Sequence, residues 1–212
     1  MTFFNKLSYI KSQHEHDDVF TFFFEKKENL LLKPGQFALF ILPRFARPHP
    51  FSLSSSPDEE YISFTVHVGS KSRFKKNLMK MEKNDKILMV GPISNLSLNR
   101  NFKEHVCLAQ GIGITPFKSI LLHAKNSSLP YKTTLIHVSK EKHTFGKLTE
   151  NVANTAYFPS NSTDFQKILS QQEKDNYFLI SGSPKFTKGV KKNLLKQGVE
   201  RSQIKRDSFF GY

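Results

Sequence analysis

The segment Gly111-Ile112-Gly113-Ile114-Thr115-Pro116-Phe117 has the residue types and order of a turn built to receive phosphate. Residues 105–110 read as a β-strand. Phe117, Ile120, Leu121 and Ala124 then recur at helical spacing, with Thr115 as N-cap and Pro116 at the first helical position. Gly111 and Gly113 would let the backbone come close to a pyrophosphate, whose charge the free amides and positive end of the helix stabilise. The same pattern also fits a tight strand-to-helix connection that binds nothing, so the neighbouring elements decide between the two.

Two halves position that turn. Up to about residue 98, short strands alternate with turn residues. The strands are 3–10, 19–25, 36–42, 49–54, 62–68 and 86–90, punctuated by Pro34-Gly35, Pro43, Ser56-Pro57-Asp58 and Gly91-Pro92, with one helix over 72–81. Such spacing predicts a small antiparallel β-barrel. After Asn99-Arg100-Asn101 the rhythm changes to strand 105–110, helix 116–125, strands 133–138 and 156–158, helix 164–171, strand 177–181, helix 184–196 and strand 204–209. Alternating strands and helices predict a Rossmann-like, mostly parallel sheet covered on both faces. The expected fold is therefore a β-barrel domain over 1–99 followed by an α/β domain over 100–212.

With 212 residues the chain can bury two small cores without staples. Its single cysteine, Cys107, falls inside a predicted core strand, which excludes disulfides, Cys-ligated iron–sulfur clusters and structural zinc built from this chain alone. No metal site is expected: His14 and His16 stand apart from other ligands, and the eight histidines read mainly as surface or barrel residues. No apolar run reaches about 18 residues, and the start lacks the apolar core of a signal peptide. The expectation is a cytoplasmic protein without a transmembrane segment, free or peripheral at the inner membrane face. Lys+Arg 32 against Asp+Glu 18 gives a net charge of +14, which suits an anionic partner. The lysines are scattered, however, as at Lys26-Lys27 and Lys75-Lys76, and form no single basic block interleaved with aromatics, so nucleic acid is not expected. The 21 phenylalanines with no tryptophan read as core composition.

Three further segments stand in order around the glycine turn. They are Arg47-Pro48-His49-Pro50-Phe51-Ser52, Val66-His67-Val68-Gly69-Ser70-Lys71-Ser72, and Leu179-Ile180-Ser181-Gly182-Ser183-Pro184 with the ending Phe209-Phe210-Gly211-Tyr212. With them the whole chain resembles the ferredoxin-NADP reductase superfamily, in which an FAD-binding barrel precedes an NAD(P)-binding domain. It is most similar to the ferric reductase and NADPH oxidase branch, which reads His-Pro-Phe-Ser or Thr where the wider group has Arg-x-Tyr-Ser. The resemblance implies that His49, Pro50, Phe51 and Ser52 bind flavin, Phe51 packing on the isoalloxazine and Ser52 bonding near N5. Either Arg47 or His49 would meet the FAD pyrophosphate. His67, Val68 and Ser72 would support the ribityl chain and pyrophosphate, although a plain N-cap explains Ser72 equally well. Gly182, Ser183 and Pro184 stand where relatives read Gly-Pro-Pro, and Ser181 replaces the preceding cysteine that lies beside the nicotinamide, which implies slower turnover. Phe209, Phe210 or Tyr212 would shield the flavin until nicotinamide displaces the ring, or else pack at the sheet edge; Ser52, Ser181 and Tyr212 are the implied catalytic residues. Gly91-Pro92 matches the start of the family's turn after the last barrel strand, without its second glycine.

Choice of dinucleotide falls to Ser139-Lys140-Glu141-Lys142 after the second strand of the sheet. A hydroxyl with nearby lysines suits the 2′-phosphate of NADPH, whereas Glu141 could accept from an NADH ribose hydroxyl. The expected activity is FAD-dependent oxidation of NAD(P)H by hydride transfer to flavin N5. Electrons would then leave to a separate acceptor: an acidic carrier protein, a membrane haem protein, free flavin, ferric iron or oxygen. A regulatory flavin- or nucleotide-binding module with little turnover is the alternative, supported by Ser181 and by the irregular stretch after Gly91.

Overall fold

The structure, a computed structural model, describes residues 3–43, 47–69, 72–94, 96–140 and 142–208. Strands β1 (Phe4–His16), β2 (Val19–Glu25), β3 (Gln36–Ile41), β4 (His49–Ser52), β5 (Tyr61–His67) and β6 (Lys86–Ser94) form one antiparallel sheet in the order β4-β3-β6-β1-β2-β5. Its two ends meet through the Leu53–Phe64 bridge and the Ser54 amide, which donates to Ser63 O at 2.8 Å, so the sheet curls into a barrel. Phenylalanines fill it: Phe22, Phe24, Phe40 and Phe64 are fully buried, with Phe40 and Phe64 rings 4.5 Å apart. The core reading of the phenylalanine content therefore holds for this half.

Two barrel strands depart from the sequence pattern. β1, expected to stop at residue 10, runs to His16 because it serves two partners: its first half pairs with β6, and its polar second half pairs with β2 past a bulge between Tyr9 and Lys11. Gly91-Pro92 does not end a strand as expected. β6 continues through it, and Ile93 and Ser94 pair with Phe37 and Gln36 across a register shift in β3. The expected helix at 72–81 is the shorter α1 (Arg73–Leu78), capped by Ser72, whose hydroxyl accepts from the Lys75 amide at 3.4 Å.

The second half contains β7 (Glu104–Gln110), a 3-10 turn (Gly111–Ile114), α2 (Thr115–Asn126), β8 (Lys132–Val138), α3 (Gly146–Val152) and β9 (Thr155–Tyr157). It continues with α4 (Ser162–Ser170), β10 (Tyr177–Gly182), α5 (Pro184–Lys196) and β11 (Ile204–Ser208). All pairings are parallel, in the order β11-β10-β7-β8-β9. The chain winds outward from β7 to β9, then returns to lay β10 on the other flank of β7, so the direction of winding reverses between β7 and β10. In open parallel sheets, ligands bind beyond the carboxyl ends of the strands at that reversal. The fully buried β10, with Phe178, Leu179 and Ile180 at 1% exposure or less, reads as the continuous apolar run of a central parallel strand. Cys107 is fully buried in β7, where desolvation pushes its thiol up to about 12. No helix among the described residues is long and apolar enough to cross a membrane.

Candidate functional site

The 3-10 turn and the end of β10 meet at the winding reversal, and the two glycines of the turn are glycine for different reasons. Gly111 has φ +51°, and a side chain added there would meet nothing within 4 Å. A Cβ on Gly113 would instead stand 2.4 Å from Ser181 O and 2.9 Å from the Gly182 nitrogen. Gly113 is therefore required by the packing of the turn on β10, where the sequence alone suggests a ligand.

The expected cap at Thr115 is not formed. The 3-10 turn runs straight into α2, so Ile114 occupies the cap position and Thr115 is already helical, its buried hydroxyl donating back to Ile112 O at 2.6 Å. Helix-start amides lack intrahelical partners; here those donors move forward to the turn itself, and Thr115 and Pro116 lie behind it in the core.

A cavity of about 240 Å³ opens on this turn. The parallel sheet contributes Gln110, Gly111, Ile112, Ser139, Lys140, Lys142, Thr144 and Ser183, and the barrel contributes His16 and His67. Six expected site residues thus converge: His67, Gly111, Ser139, Lys140, Lys142 and Ser183. Ser183 caps α5, accepting from the Phe186 amide at 3.3 Å while its hydroxyl donates to Gln110 Oε1 at 2.6 Å. Two helical N-termini and two exposed lysines therefore face one cleft, an arrangement that stabilises a polyanion. Pro184 is the first residue of α5, half-buried beside the opening, and Gly182 is buried with Gln110 packed where a side chain would stand.

Sequence reasoning missed His16, Gln110 and Thr144, which come from a polar strand end, a strand's last residue and an irregular loop. His16 Nε2 and Thr144 Oγ1 lie 2.7 Å apart across the two sheets, and His16 Nδ1 meets Asp17 Oδ2 at 3.0 Å. His67 Nδ1 lies 2.7 Å from Asp18 Oδ1. Burial would raise the Asp18 carboxyl, but the His67 and Gly69 bonds outweigh it and hold Asp18 below the usual range. The expectation that histidines are surface or barrel groups fails at His105 and His137, which are fully buried in the parallel sheet.

The remaining barrel residues form a second group beside α1. His49 stacks on Phe74 at 4.0 Å, and burial followed by the nearby Lys75 charge lowers its pKa below the ordinary 6.5. The charged form of the stacked His49 is thus disfavoured, whereas the exposed Arg47 guanidinium keeps its charge. Phe51 is half-buried, its ring stacked 4.7 Å from Phe64 at 6°. Pro50 is exposed, Val68 is half-buried against the barrel core, and Ser72 caps α1. Ser52 and Ser181 share one property: each hydroxyl is buried without a hydrogen-bond partner among the described residues. Phe210 and Tyr212, like Phe209, lie outside the described residues.

Helix α2 fastens the two groups together. Lys118, 6% exposed, pairs with Glu59 at 3.1 Å; Ser119 Oγ donates to Ser55 O at 2.7 Å; and His123 Nδ1 meets Asp58 Oδ2 at 2.9 Å.

Comparison with known proteins agrees with this architecture. The profile of a family described as an FAD-binding domain matches residues 4–168. NADPH oxidase 4 of Rattus norvegicus is 29% identical over 175 residues, covering 69% of this chain and 30% of that protein. A superoxide-generating NADPH oxidase heavy chain of Dictyostelium discoideum is 31% identical over 129 residues, covering 51% of this chain and 25% of that protein. The chain thus spans less than a third of the length of these relatives. Among solved structures, a ferredoxin NADP+ reductase from Neisseria gonorrhoeae with bound FAD and NADP superposes with a TM-score of 0.82 at 19% identity, covering 99% of this chain and 100% of that one. The flavohem-like FAD/NAD binding domain of nitric oxide dioxygenase from Vibrio cholerae O1 biovar El Tor gives 0.77 at 18% identity, covering 96% and 98%.

Proposed function

Given that the chain belongs to the FAD-binding domain family, we propose that it is an FAD-dependent NAD(P)H oxidoreductase, with residues 1–99 holding flavin and 100–212 holding the nicotinamide nucleotide. The observation that carries this is the cavity at the winding reversal, where the Gly111 turn, the lysine-bearing loop after β8 and the cap of α5 face two barrel histidines. The barrel residues fit a flavin: Ser52 offers a buried hydroxyl without a partner among the described residues, at the end of a strand whose His49 and Phe51 rings are packed flat. Bound FAD would supply the two-electron acceptor for hydride and the means to release electrons onward.

The chain's own part is orientation. His49, Pro50, Phe51 and Ser52 would hold the ring system, Arg47 the pyrophosphate, and His67, Val68 and Ser72 the chain between them. Gly111, Ser139, Lys140, Lys142 and Ser183 would hold the nucleotide phosphates, with Lys140 and Lys142 favouring the 2′-phosphate of NADPH over NADH. Gly113, Thr115, Pro116, Gly182 and Pro184 would shape the same wall from behind. Ser181 and Tyr212 remain the residues proposed to act beside the nicotinamide. Electrons would pass to a separate acceptor, whether carrier protein, haem protein, free flavin or ferric iron, on the cytoplasmic side or at the inner membrane face. The zero exposure of Ser181 supports the second reading, a flavin-binding module of weak turnover.

Anaerobic mixing of FAD-reconstituted protein with NADPH, and separately NADH, tests both. Rapid bleaching of flavin absorbance is the expected result. Flavin that is retained but not bleached would favour the weak module, and protein that cannot retain FAD would sink the assignment of the barrel.

A further inference from the structure

Beneath the cavity lies a pair of histidines that hydride transfer does not use. His137, on β8, is fully buried, and its Nε2 lies 3.0 Å from Gly111 O. A carbonyl oxygen only accepts, so Nε2 carries the proton and Nδ1 is a bare lone pair; that atom is buried and has no partner among the described residues. The peptide joining Gly111 to Ile112 is trans, and a trans peptide points its carbonyl and its amide in opposite directions. Tying the Gly111 carbonyl down to His137 therefore turns the Ile112 amide the other way, at the wall that Gly111 and Ile112 present to the cavity.

His143 stands edge-on to His137, with ring centres 4.8 Å apart at 77°, and Phe158 packs against both rings, 4.9 Å from His143 and 6.3 Å from His137. His143 sits in the loop between Lys142 and Thr144, both of which line the cavity together with Ser139 and Lys140. Its Nδ1 is also buried without a partner among the described residues. Neither ring is held there by a polar bond to the other, so the contact is one of shape. We propose that His137 and His143 form one pillar that sets the two phosphate-facing walls of the nucleotide cavity, His137 through the Gly111 peptide and His143 through the loop over 139–144. They are positioning residues: His137 governs affinity for any dinucleotide, and His143 governs discrimination for the 2′-phosphate. Burial, then the neighbouring His143, drive the His137 pKa down to about 3, so the His137 donor to Gly111 O is not lost near neutrality.

This inference rests on the nucleotide reading of the cavity, and calorimetric titration of FAD-reconstituted protein with NADP+ and NAD+ separates the two. His137→Phe keeps the ring and removes the donor. It should weaken both dinucleotides about tenfold, the scale of one hydrogen bond lost at a buried acceptor, with KM raised and kcat within about twofold. His137→Gln, whose amide donates from a similar reach, should recover most of that loss. His143→Ala should weaken NADP+ several-fold and leave NAD+ within about twofold; it also judges the pillar if His137→Phe does not fold. Equal affinities for the Phe and Gln variants, or a His143→Ala variant that weakens both dinucleotides alike, would overturn the inference. A wild-type protein that binds NADP+ but whose flavin is not bleached by NADPH refutes the redox reading while the variant affinities still judge the pillar. Failure of the wild type to bind either dinucleotide overturns both.

Discussion

Gly113→Ala and Gly111→Ala, two residues apart in one turn, should fail in opposite ways. The Cβ that Gly113→Ala introduces would stand 2.4 Å from Ser181 O, 2.7 Å from its carbonyl carbon and 2.9 Å from the Gly182 nitrogen. All three are backbone atoms of β10, a strand paired on both sides by β7 and β11, so no flexible side chain can swing away. Restoring ordinary contact requires a shift of about 1 Å, and overpacking of this kind costs roughly 1–3 kcal/mol. At the upper end, for a chain of this size, the melting temperature should fall by roughly 6–12 °C. At Gly111 the added Cβ meets nothing, and only the φ of +51° is strained. That strain, about 1–2 kcal/mol, is partly offset by the lower entropy of the unfolded alanine chain, leaving a fall of only about 2–4 °C. The order reverses for binding: Gly111→Ala places a methyl at the cavity wall and should weaken NADP+ at least about tenfold, whereas folded Gly113→Ala protein should lose less. Scanning calorimetry and nucleotide titration of both variants give the comparison. A Gly113→Ala variant that melts within a degree or two of wild type would refute the packing argument, and a Gly111→Ala variant with wild-type affinity would remove the turn from the phosphate site.

Three further outcomes are expected. Ser181→Ala deletes a buried hydroxyl that has no partner among the described residues, so the ligand-free protein should melt at the same temperature or higher, by up to about 1–3 kcal/mol of stability; a clear loss of stability would mean that the hydroxyl is bonded after all. Breaking the Lys118–Glu59 pair by Lys118→Met leaves Glu59 without a cation, though still bonded by the Ser56 amide and the Tyr61 hydroxyl, and up to about 3 kcal/mol should be lost in urea unfolding at pH 7; an unchanged midpoint would show that α2 does not hold the barrel through this pair. His137, depressed to about 3, is neutral when folded but takes a proton below about 6.5 when unfolded, so the unfolded state binds more protons and stability must fall as pH drops through that window. Between pH 7 and 5 this amounts to roughly 2 kcal/mol, which His137→Gln should remove from the pH dependence; equal slopes for the two proteins would rule out His137 as the source.

The parts of the site that sequence made legible are those written locally. A strand, two glycines and a proline-led helix announce the turn because each feature depends on neighbours in the chain, and Ser183-Pro184 announces α5 in the same way. What sequence could not supply is the far partner of each residue. Gly113 reads the same whether it faces a phosphate or Ser181 O, and only the pairing of β10 beside β7 shows which. His137 sits in Thr-Leu-Ile-His-Val, where a histidine in an apolar run gives no sign that its nitrogen will reach back to Gly111. The polar second half of β1, Lys11 to His16, lacks the alternation of a half-buried strand, so both its length and the place of His16 at the cavity were hidden. α3 escaped notice for a similar reason: Gly146–Val152 is short, polar and preceded by Phe145 in a left-handed conformation instead of a capping side chain.

Hydride transfer as proposed would need its two reacting rings held in fixed alignment, and one helix ties the barrel to the parallel sheet. Ser52 ends β4, and three residues later the carbonyl of Ser55 accepts the hydroxyl of Ser119 on α2. Four residues back along that helix is Thr115, continuous with the turn whose Gly113 lies against the carbonyl of Ser181. The hydroxyls of Ser52 and Ser181, buried without partners among the described residues, are therefore joined by a short path of backbone, one interdomain hydrogen bond and a stiff helical turn, reinforced from the side by Lys118–Glu59. A linkage through flexible side chains would let the barrel and sheet drift, and misplacement by about 1 Å can cost two orders of magnitude in rate. Glycine at 113 is what allows the path to close at its far end. On the proposed reading, a side chain at 113 should therefore disturb the alignment of the two cofactor sites as well as the stability of the sheet.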